Sequence, residues 1–425
     1  MRECEKVRKM FCPELFGMFS QIHDPRNASY VLYEMRAIMG TLYFKNLLGI
    51  VTMRSMTEMF GDEKIPYNIY QCMGMENDGP LPHYQTINDL LCRVDPDEVE
   101  KILQEIVYRL IRRKSFDKAK FRKKWMILVD ATETYSGKVK LNDHCLERRH
   151  KKGTPEETVS YYLSVLEAKI YLGGDLVVSI CSEFIENNSE DYKRQKSLSI
   201  EAIKQDCETK AFKRLAKKLK KQFPRLPICI LADSLYASEP VMNICKENEW
   251  DYILRYKGGS IPTIEEEFER IPERGETSYR DEAKGKNGTI TFVNDIEYRK
   301  YAINMLRCLE VDKKGQERQF QFLTTFRIGT RNAQKISENG RCRWKIENQG
   351  FKRQKKEAQD ITHMCSWNEQ AEKIHYLMAQ IADLFRKLYE LFYLEKHDIK
   401  KTQRKISSDL LTSLYQPFTE TEDTS

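Results

Sequence analysis

The run RWKIENQGFKRQK, residues 343–355, places one carboxylate, Glu347, in a helix-like stretch dense in Arg and Lys. Two Asp residues lie far upstream, each closing an apolar, strand-like run: Asp130 in WMILVDAT (125–132) and Asp233 in ICILADSLYA (228–237). A carboxylate at a strand end is costly to bury unless it is paired, hydrogen-bonded or metal-bound. Mg²⁺ prefers a few carboxylates together with waters and phosphate oxygens. Two such ions about 3.5–4 Å apart can serve both the attacking and the leaving oxygen of a phosphoryl transfer. One Asp on the first strand, one after the fourth and a Glu from a late helix suit a pair of ions of this kind. Taken singly, each Asp can instead cap a neighbouring helix. The ordered set, with its third member on a basic helix, favours metal-assisted chemistry on a phosphodiester backbone.

The chain has 425 residues, of which 32% are charged and 40% hydrophobic, ordinary values for a globular protein with a full core. Its formal charge of +7 is concentrated in three runs, 109–124, 213–225 and 341–356. Clustered Lys and Arg favour a polyanionic partner, although any one run can be a solvated helix face. The 12 Cys are scattered without CxxC pairs, which points to free thiols in a reducing compartment. His144, Cys145 and His150 are a possible ligand cluster, but their spacing fits no standard zinc site. No apolar run reaches the ~18–20 residues of a membrane span, and residues 1–16 lack the apolar segment of a signal peptide, so a cytoplasmic protein is expected. The absence of GxxxxGK[ST] and GxGxxG argues against a nucleotide-dependent enzyme.

Residues 1–122 read as a helical N-terminal domain, suited to DNA binding or to a scaffold role. Apolar residues recur at helical spacing in Tyr30–Met59 and Val99–Ile111, with Thr86 and either Asp95 or Asp97 as helix caps. Residues 123–257 follow the order strand, strand, strand, helix, strand, helix, strand, an α/β pattern with a mixed sheet flanked by helices. Within it, Ser160–Ile170 and Asp175–Phe184 read as a hairpin joined by YLGGD, the polar stretch before them as a loop, and Tyr192–Gln222 as a long helix. Residues 258–326 read as a β-rich insertion. Residues 327–396 complete the core with near-continuous C-terminal helices, and 397–425 form a polar tail.

The order of elements and the three carboxylates resemble the RNase H-like core of DDE transposases from bacterial insertion sequences, in the branch with a β-strand insertion and a Tyr-Arg-Glu-Lys signature. Arg343, Trp344, Ile346 and Glu347 reproduce its Arg-Trp-x-Ile-Glu core. The signature's Tyr falls on Gly340 and its Lys on Gln354, with Lys355 next, as in a subgroup carrying Ile-Glu-Asn-x-Gly-Phe. LADSLYA (231–237), AEKIHYLMAQIADLFRKL (371–388), HDPRN (23–27) and PHYQTINDLLCRVD (82–95) carry the resemblance along most of the chain.

The resemblance implies an enzyme that cuts transposon ends and joins them to target DNA. Asp130, Asp233 and Glu347 would be its catalytic residues and would bind two Mg²⁺ or Mn²⁺ ions. Arg343, Lys352, Arg353 and Lys355 would contact DNA. The implied partners are double-stranded DNA, both terminal inverted repeats and target, and a second copy of the chain in the synaptic complex, with nucleoid association when DNA is bound. A metal-dependent nuclease or domesticated derivative on the same core, or a DNA-binding protein with an inactive core, are the alternatives. Arg343 can hold a phosphate or form an ion pair that orients Glu347. Trp344 reads as a core residue, His375 as a packed or surface residue and not a catalytic one, and Glu133 as pointing to the sheet face opposite Asp130. Some relatives trap a flipped base with a Trp of the insertion. Residues 251–343 contain none, which leaves only aromatics such as Phe292 or Tyr298 for that task.

Overall fold

The apolar run at 125 opens strand β1 (Trp125–Gly137), whose first five residues are all buried. The computed structural model describes residues 1–76, 79–187, 205–258, 261–282 and 285–416. β1 pairs antiparallel with β3 (Thr158–Tyr171) and parallel with β5 (Ile228–Ala232). β3 continues to β4 (Val177–Ile185) through the turn that holds Gly173 and Gly174, both at positive φ as a tight hairpin requires. β5 pairs parallel with β6 (Asp251–Tyr256). The order β4-β3-β1-β5-β6, in which only β3 runs antiparallel to its neighbours β1 and β4, is an RNase H-like arrangement of a mixed sheet.

The polar stretch read as a loop contains a strand, β2 (Leu146–His150), which pairs with β3 beyond the end of β4. Only Leu146 of β2 is buried, so its apolar pattern could not announce it. The insertion strands β7 (Gly275–Asp281), β8 (Lys286–Tyr298), β9 (Tyr301–Asp312) and β10 (Glu317–Thr324) do not stand apart. β10 pairs antiparallel with β6, and the whole set extends the same ten-stranded sheet.

Helices cover the sheet. The apolar helix α1 (Met35–Leu47) is buried on nearly every side, as expected of a helix apolar all round. It packs against α4 (Glu369–Tyr389), where Tyr43 and Phe385 meet edge to face at 6.0 Å. Arg386 of α4, fully buried, donates to the carbonyl of Leu47 at the end of α1. One continuous apolar core therefore joins residues 1–116, one face of the sheet and the C-terminal helices. Asp95 caps α2 (Pro96–Arg112) by accepting from Asp97 N at 3.0 Å. Thr86 caps nothing, because its helix begins earlier, at Tyr84, with His83 as the cap. Of the helix expected over Tyr192–Gln222, α3 (Glu208–Gln222) is present, and residues 192–204 lie outside the described residues. The C-terminal helices are interrupted between Lys356 and Glu369. Among the described residues all 12 Cys are free thiols, and no helix is long and apolar enough to cross a membrane.

Candidate active site

β1 and β5 run side by side in register, with Leu128 opposite Leu231. Asp130 and Asp233 each lie two residues beyond that pair, so two carboxylates meet at the C-terminal edge of adjacent parallel strands, where open α/β sheets bind ligands. β1 does not end at Asp130; pairing with β3 continues to Gly137. Asp130 is three-quarters or more buried, and its Oδ1 accepts from Ala131 N at 3.0 Å. Burial pushes its carboxyl up to about 6; the Arg343 guanidinium opposes this, and the carboxylates of Asp233 and Glu208 add to it. Asp233 caps a short 3₁₀ turn, accepting from Leu235 N at 2.8 Å. Helix-capping and a place beside Asp130 are thus combined in one residue.

The segment that carries Glu347 is a π-helical turn, Ile346–Lys352, running into an α-helical turn, Arg353–Lys356. Ile346 and Phe351 hold it to the sheet, and Glu347 points to solvent. Arg343, four residues before Glu347, donates to Asp130 Oδ2 at 2.9 Å. The guanidinium is thus paired with the first Asp and not with Glu347. A π-turn closes i→i+5 hydrogen bonds and holds one residue more than an α-turn. In an unbroken α-helix position 354, seven residues on, would share the face of Glu347. The extra residue passes that place to Lys355: Gln354 is fully buried, and Lys355 is half-buried near Glu133. Burial pulls the Lys355 ammonium down, and Glu133 partly restores it.

Two expectations for this segment change. Arg353 is buried, paired through both terminal nitrogens with Glu390 at 2.8 and 2.5 Å, and its Nε lies 3.6 Å from Asp383. Its guanidinium is committed inside the protein and is not presented to a DNA backbone. Trp344 is 50% exposed, so it belongs to the surface and not the core. Lys352 and Lys356 are exposed. The other two basic runs are neutralised only in part: Arg109, Lys120 and Lys124 pair with Glu14, Asp117 and Asp251, and Arg214 and Lys218 with Asp206, Glu183 and Glu100.

His144, Cys145 and His150 do not come together as ligands. Cys145 is buried against Asn142, and His150 hydrogen-bonds Ser160 at 2.8 Å. His144 instead faces Glu369 at 2.7 Å and Glu186 at 3.8 Å, the one set of three ligand-type side chains among the described residues with donor atoms within 4.8 Å. The Lys373 ammonium already binds both glutamates, at 2.8 and 2.6 Å, so the group is a closed ion network. Asp130, Asp233 and Glu347 are not gathered within that radius. His375 is packed: its Nε2 meets Asn88 Oδ1 at 2.8 Å and burial drives its pKa down to about 3.

Next to Lys373, burial and the charges of Glu186 and Glu369 raise the Glu372 carboxyl to about 7, against the pull of Lys373 and a hydrogen bond from Thr134. The folded protein then binds this proton more tightly than the unfolded chain, so stability falls as pH rises from about 4.5 to 7. Glu372→Gln, which mimics the protonated form, is expected to raise stability over the parent by about 2–3 kcal/mol at pH 8 and to leave it unchanged at pH 4. Thermal unfolding at both pH values checks this; equal shifts at both would refute it.

Sequence reasoning passed over two groups, one near Asp233 and one near Arg343. Glu208, in the first turn of α3, accepts from Tyr236 Oη at 3.1 Å and lies close enough to Asp233 for its carboxyl to be raised by burial and by that charge. Arg255 sits near the end of β6, where burial and the neighbouring Arg343 and Arg341 lower its pKa, and its buried Nη1 has no hydrogen-bond partner. The available signal was its place at the C-terminal end of a parallel strand.

Residues 203–382 match the family described as the transposase DDE domain, a stretch that includes Asp233 and Glu347 and begins after Asp130. No curated protein matches the chain. A solved structure described as a cryo-EM structure of a piggyBac transposase synaptic complex with hairpin DNA is similar over 97% of this chain and 79% of its own, at 12% identity and a TM-score of 0.44. In sequence, the stretch 203–382 is similar to a transposase DDE domain.

Proposed function

We propose that this chain is a DDE transposase of the insertion-sequence type, with Asp130, Asp233 and Glu347 as metal-binding catalytic residues. The observation that carries the reading is the adjacency of Asp130 and Asp233 on neighbouring parallel strands, with the Glu347 segment tied to Asp130 through Arg343. The donor set suits Mg²⁺ or Mn²⁺, two ions. Burial, with a lesser contribution from the charges of Asp233 and Glu208, raises the Asp130 pKa, and a divalent cation would favour its ionised form. Such ions, when bound, neutralise charge on the attacking and leaving oxygens.

The chain's own groups then have separate tasks. Arg343 holds the Asp130 carboxylate ionised and can exchange it for a phosphate oxygen. Lys355, on the face of Glu347, and exposed Lys352 hold the DNA backbone, with Arg255 as a further donor at the strand ends. The helices of 1–122, which share the core of the sheet, serve as scaffold as much as DNA contact. The reaction is cleavage at a terminal inverted repeat followed by attack of the freed 3′-OH on target DNA, carried out by two copies of the chain that hold two ends.

The test uses purified full-length protein, Mg²⁺ or Mn²⁺, and labelled DNA carrying the inverted repeats that flank the gene. Joined products support the proposal, nicking without joining favours a nuclease, and no metal-dependent cleavage with binding retained favours an inactive core. DNA affinity is also expected to fall steeply with salt. Lys352→Ala and Lys355→Ala should each reduce the slope of log K against log salt by about 0.9, whereas Arg353→Gln should leave the slope of the folded fraction unchanged. A reduced slope for Arg353→Gln would mean that its guanidinium reaches DNA.

A further inference from the structure

The π-turn that carries Glu347 rests on a buried polar latch. Gly350 sits on the stem of Lys169, a β3 residue, so closely that a Cβ there would lie 3.3 Å from Lys169 Cδ and Cε. The Lys169 ammonium passes under the turn, 5.5 Å from the centre of the Phe351 ring, and donates to Gln380 Oε1 of α4 at 2.8 Å. The same Gln380 oxygen accepts from Gln354 Nε2 at 2.9 Å, and Gln354 Nε2 also reaches Asp383 Oδ2 of α4 at 3.0 Å. Lys169, Gln354 and Gln380 are at most 2% exposed. One acceptor thus ties together β3, the segment after the π-turn and α4.

β3 is the antiparallel neighbour of β1, with Lys169 opposite Leu128 and Glu167 opposite Asp130. The latch therefore fixes the Glu347 segment against the strand pair that holds Asp130. π-turns are rare and frequently occur at functional sites; a second one here, Glu390–Leu394, carries the Glu390 that pairs with Arg353. Satisfied hydrogen bonds in a dry interior constrain the one that carries Glu347.

We propose that Gln354 and Lys169 are positioning residues for Glu347, holding the π-turn in the register that puts Glu347 and Lys355 on one face. This rests on the reading of Glu347 as a metal-binding carboxylate. Without the latch the segment is free to relax to α geometry, which removes one residue from the turn and rotates Glu347 relative to Asp130.

Calorimetric titration of the DNA-free, full-length protein with Mn²⁺ tests this, with circular dichroism and thermal midpoint as checks of folding. Gln354→Leu keeps the side-chain volume and removes the amide. Lys169→Met keeps the stem under Gly350 and removes the ammonium, while Glu167 retains Ser179, Ser182 and Tyr376 as donors. Each is expected to weaken Mn²⁺ binding about tenfold, and the double variant no more than either alone, because the two act through one acceptor. In cleavage assays the same variants should need about tenfold more Mn²⁺ for half-maximal rate, with most of the rate restored at saturation. A purely structural role would lower the thermal midpoint without moving the Mn²⁺ isotherm, and that result in either folded variant overturns the proposal. Glu347→Gln is the reference. If it binds Mn²⁺ as the parent does, the reading of Glu347 falls and the latch with it; if it binds weakly while Gln354→Leu is unchanged, the latch alone falls.

Discussion

Asp130→Asn, Asp233→Asn and Glu347→Gln are each expected to lower metal-dependent DNA cleavage by roughly 10³-fold or more, because each removes a proposed metal-binding charge. DNA binding in EDTA should be retained or should rise, since each variant deletes a negative charge beside the phosphate path. The rise should be largest for Asp130→Asn, which releases the Arg343 guanidinium from its 2.9 Å ion pair. Glu133→Gln is the control: Glu133 lies near Asp130 in sequence, but its carboxylate is engaged by Arg148 at 2.6 Å, and cleavage should change by less than about threefold. Gel-shift titrations beside single-turnover cleavage read both quantities. Loss of binding in step with loss of cleavage in all three variants would refute the metal-ligand assignment.

The parts of this site that were legible in the sequence are those set by local apolar pattern. Apolar runs ending at Asp130 and Asp233 marked two strands, the YLGGD stretch with Gly173 and Gly174 marked the hairpin, and residues 258–326 read as β-rich. Where burial does not follow a local period, the sequence was silent or misleading. β2 is a strand because β3 offers it an edge, and four of its five residues are exposed. Trp344 looked like core by residue type alone, yet it lies on the outer face of its segment. Arg353 looked like a DNA contact because its partners, Asp383 and Glu390, lie 30 and 37 positions away on the far side of a chain break in helicity. The exchange of roles between Gln354 and Lys355 depends on a π-turn, and a helical reading at 3.6 residues per turn has no means of finding it. Glu208 and Arg255 join the site only through the sheet order.

Asp383→Ala is expected to cost about 3–5 kcal/mol of stability, the range for breaking a buried ion pair from one side. Asp383 is 2% exposed and accepts from Lys387 at 2.7 Å and from Gln354 at 3.0 Å, with the Arg353 guanidinium at 3.6 Å. The surrounding cations hold its carboxyl below the usual range in spite of burial. Truncation leaves Lys387, itself buried and already pulled down to about 8, with only the Val177 carbonyl as partner. It also leaves Arg353 dependent on Glu390 alone. The loss comes mainly from stranding a charge and less from the missing attraction, so removing the stranded charge as well should recover much of it. Asp383→Ala combined with Lys387→Met is therefore expected to be at least about 1.5 kcal/mol more stable than Asp383→Ala alone, a coupling that a double-mutant cycle measures directly. Additive losses would show that Lys387 is held by its backbone carbonyl and not by Asp383. The same cycle bears on the function of the segment: if Arg353 is part of this interior network, Arg353→Gln should shift the unfolding midpoint in the same direction while DNA binding by the folded protein stays constant. An Arg353 variant with parental stability and weakened DNA binding would return that residue to the DNA-contacting set.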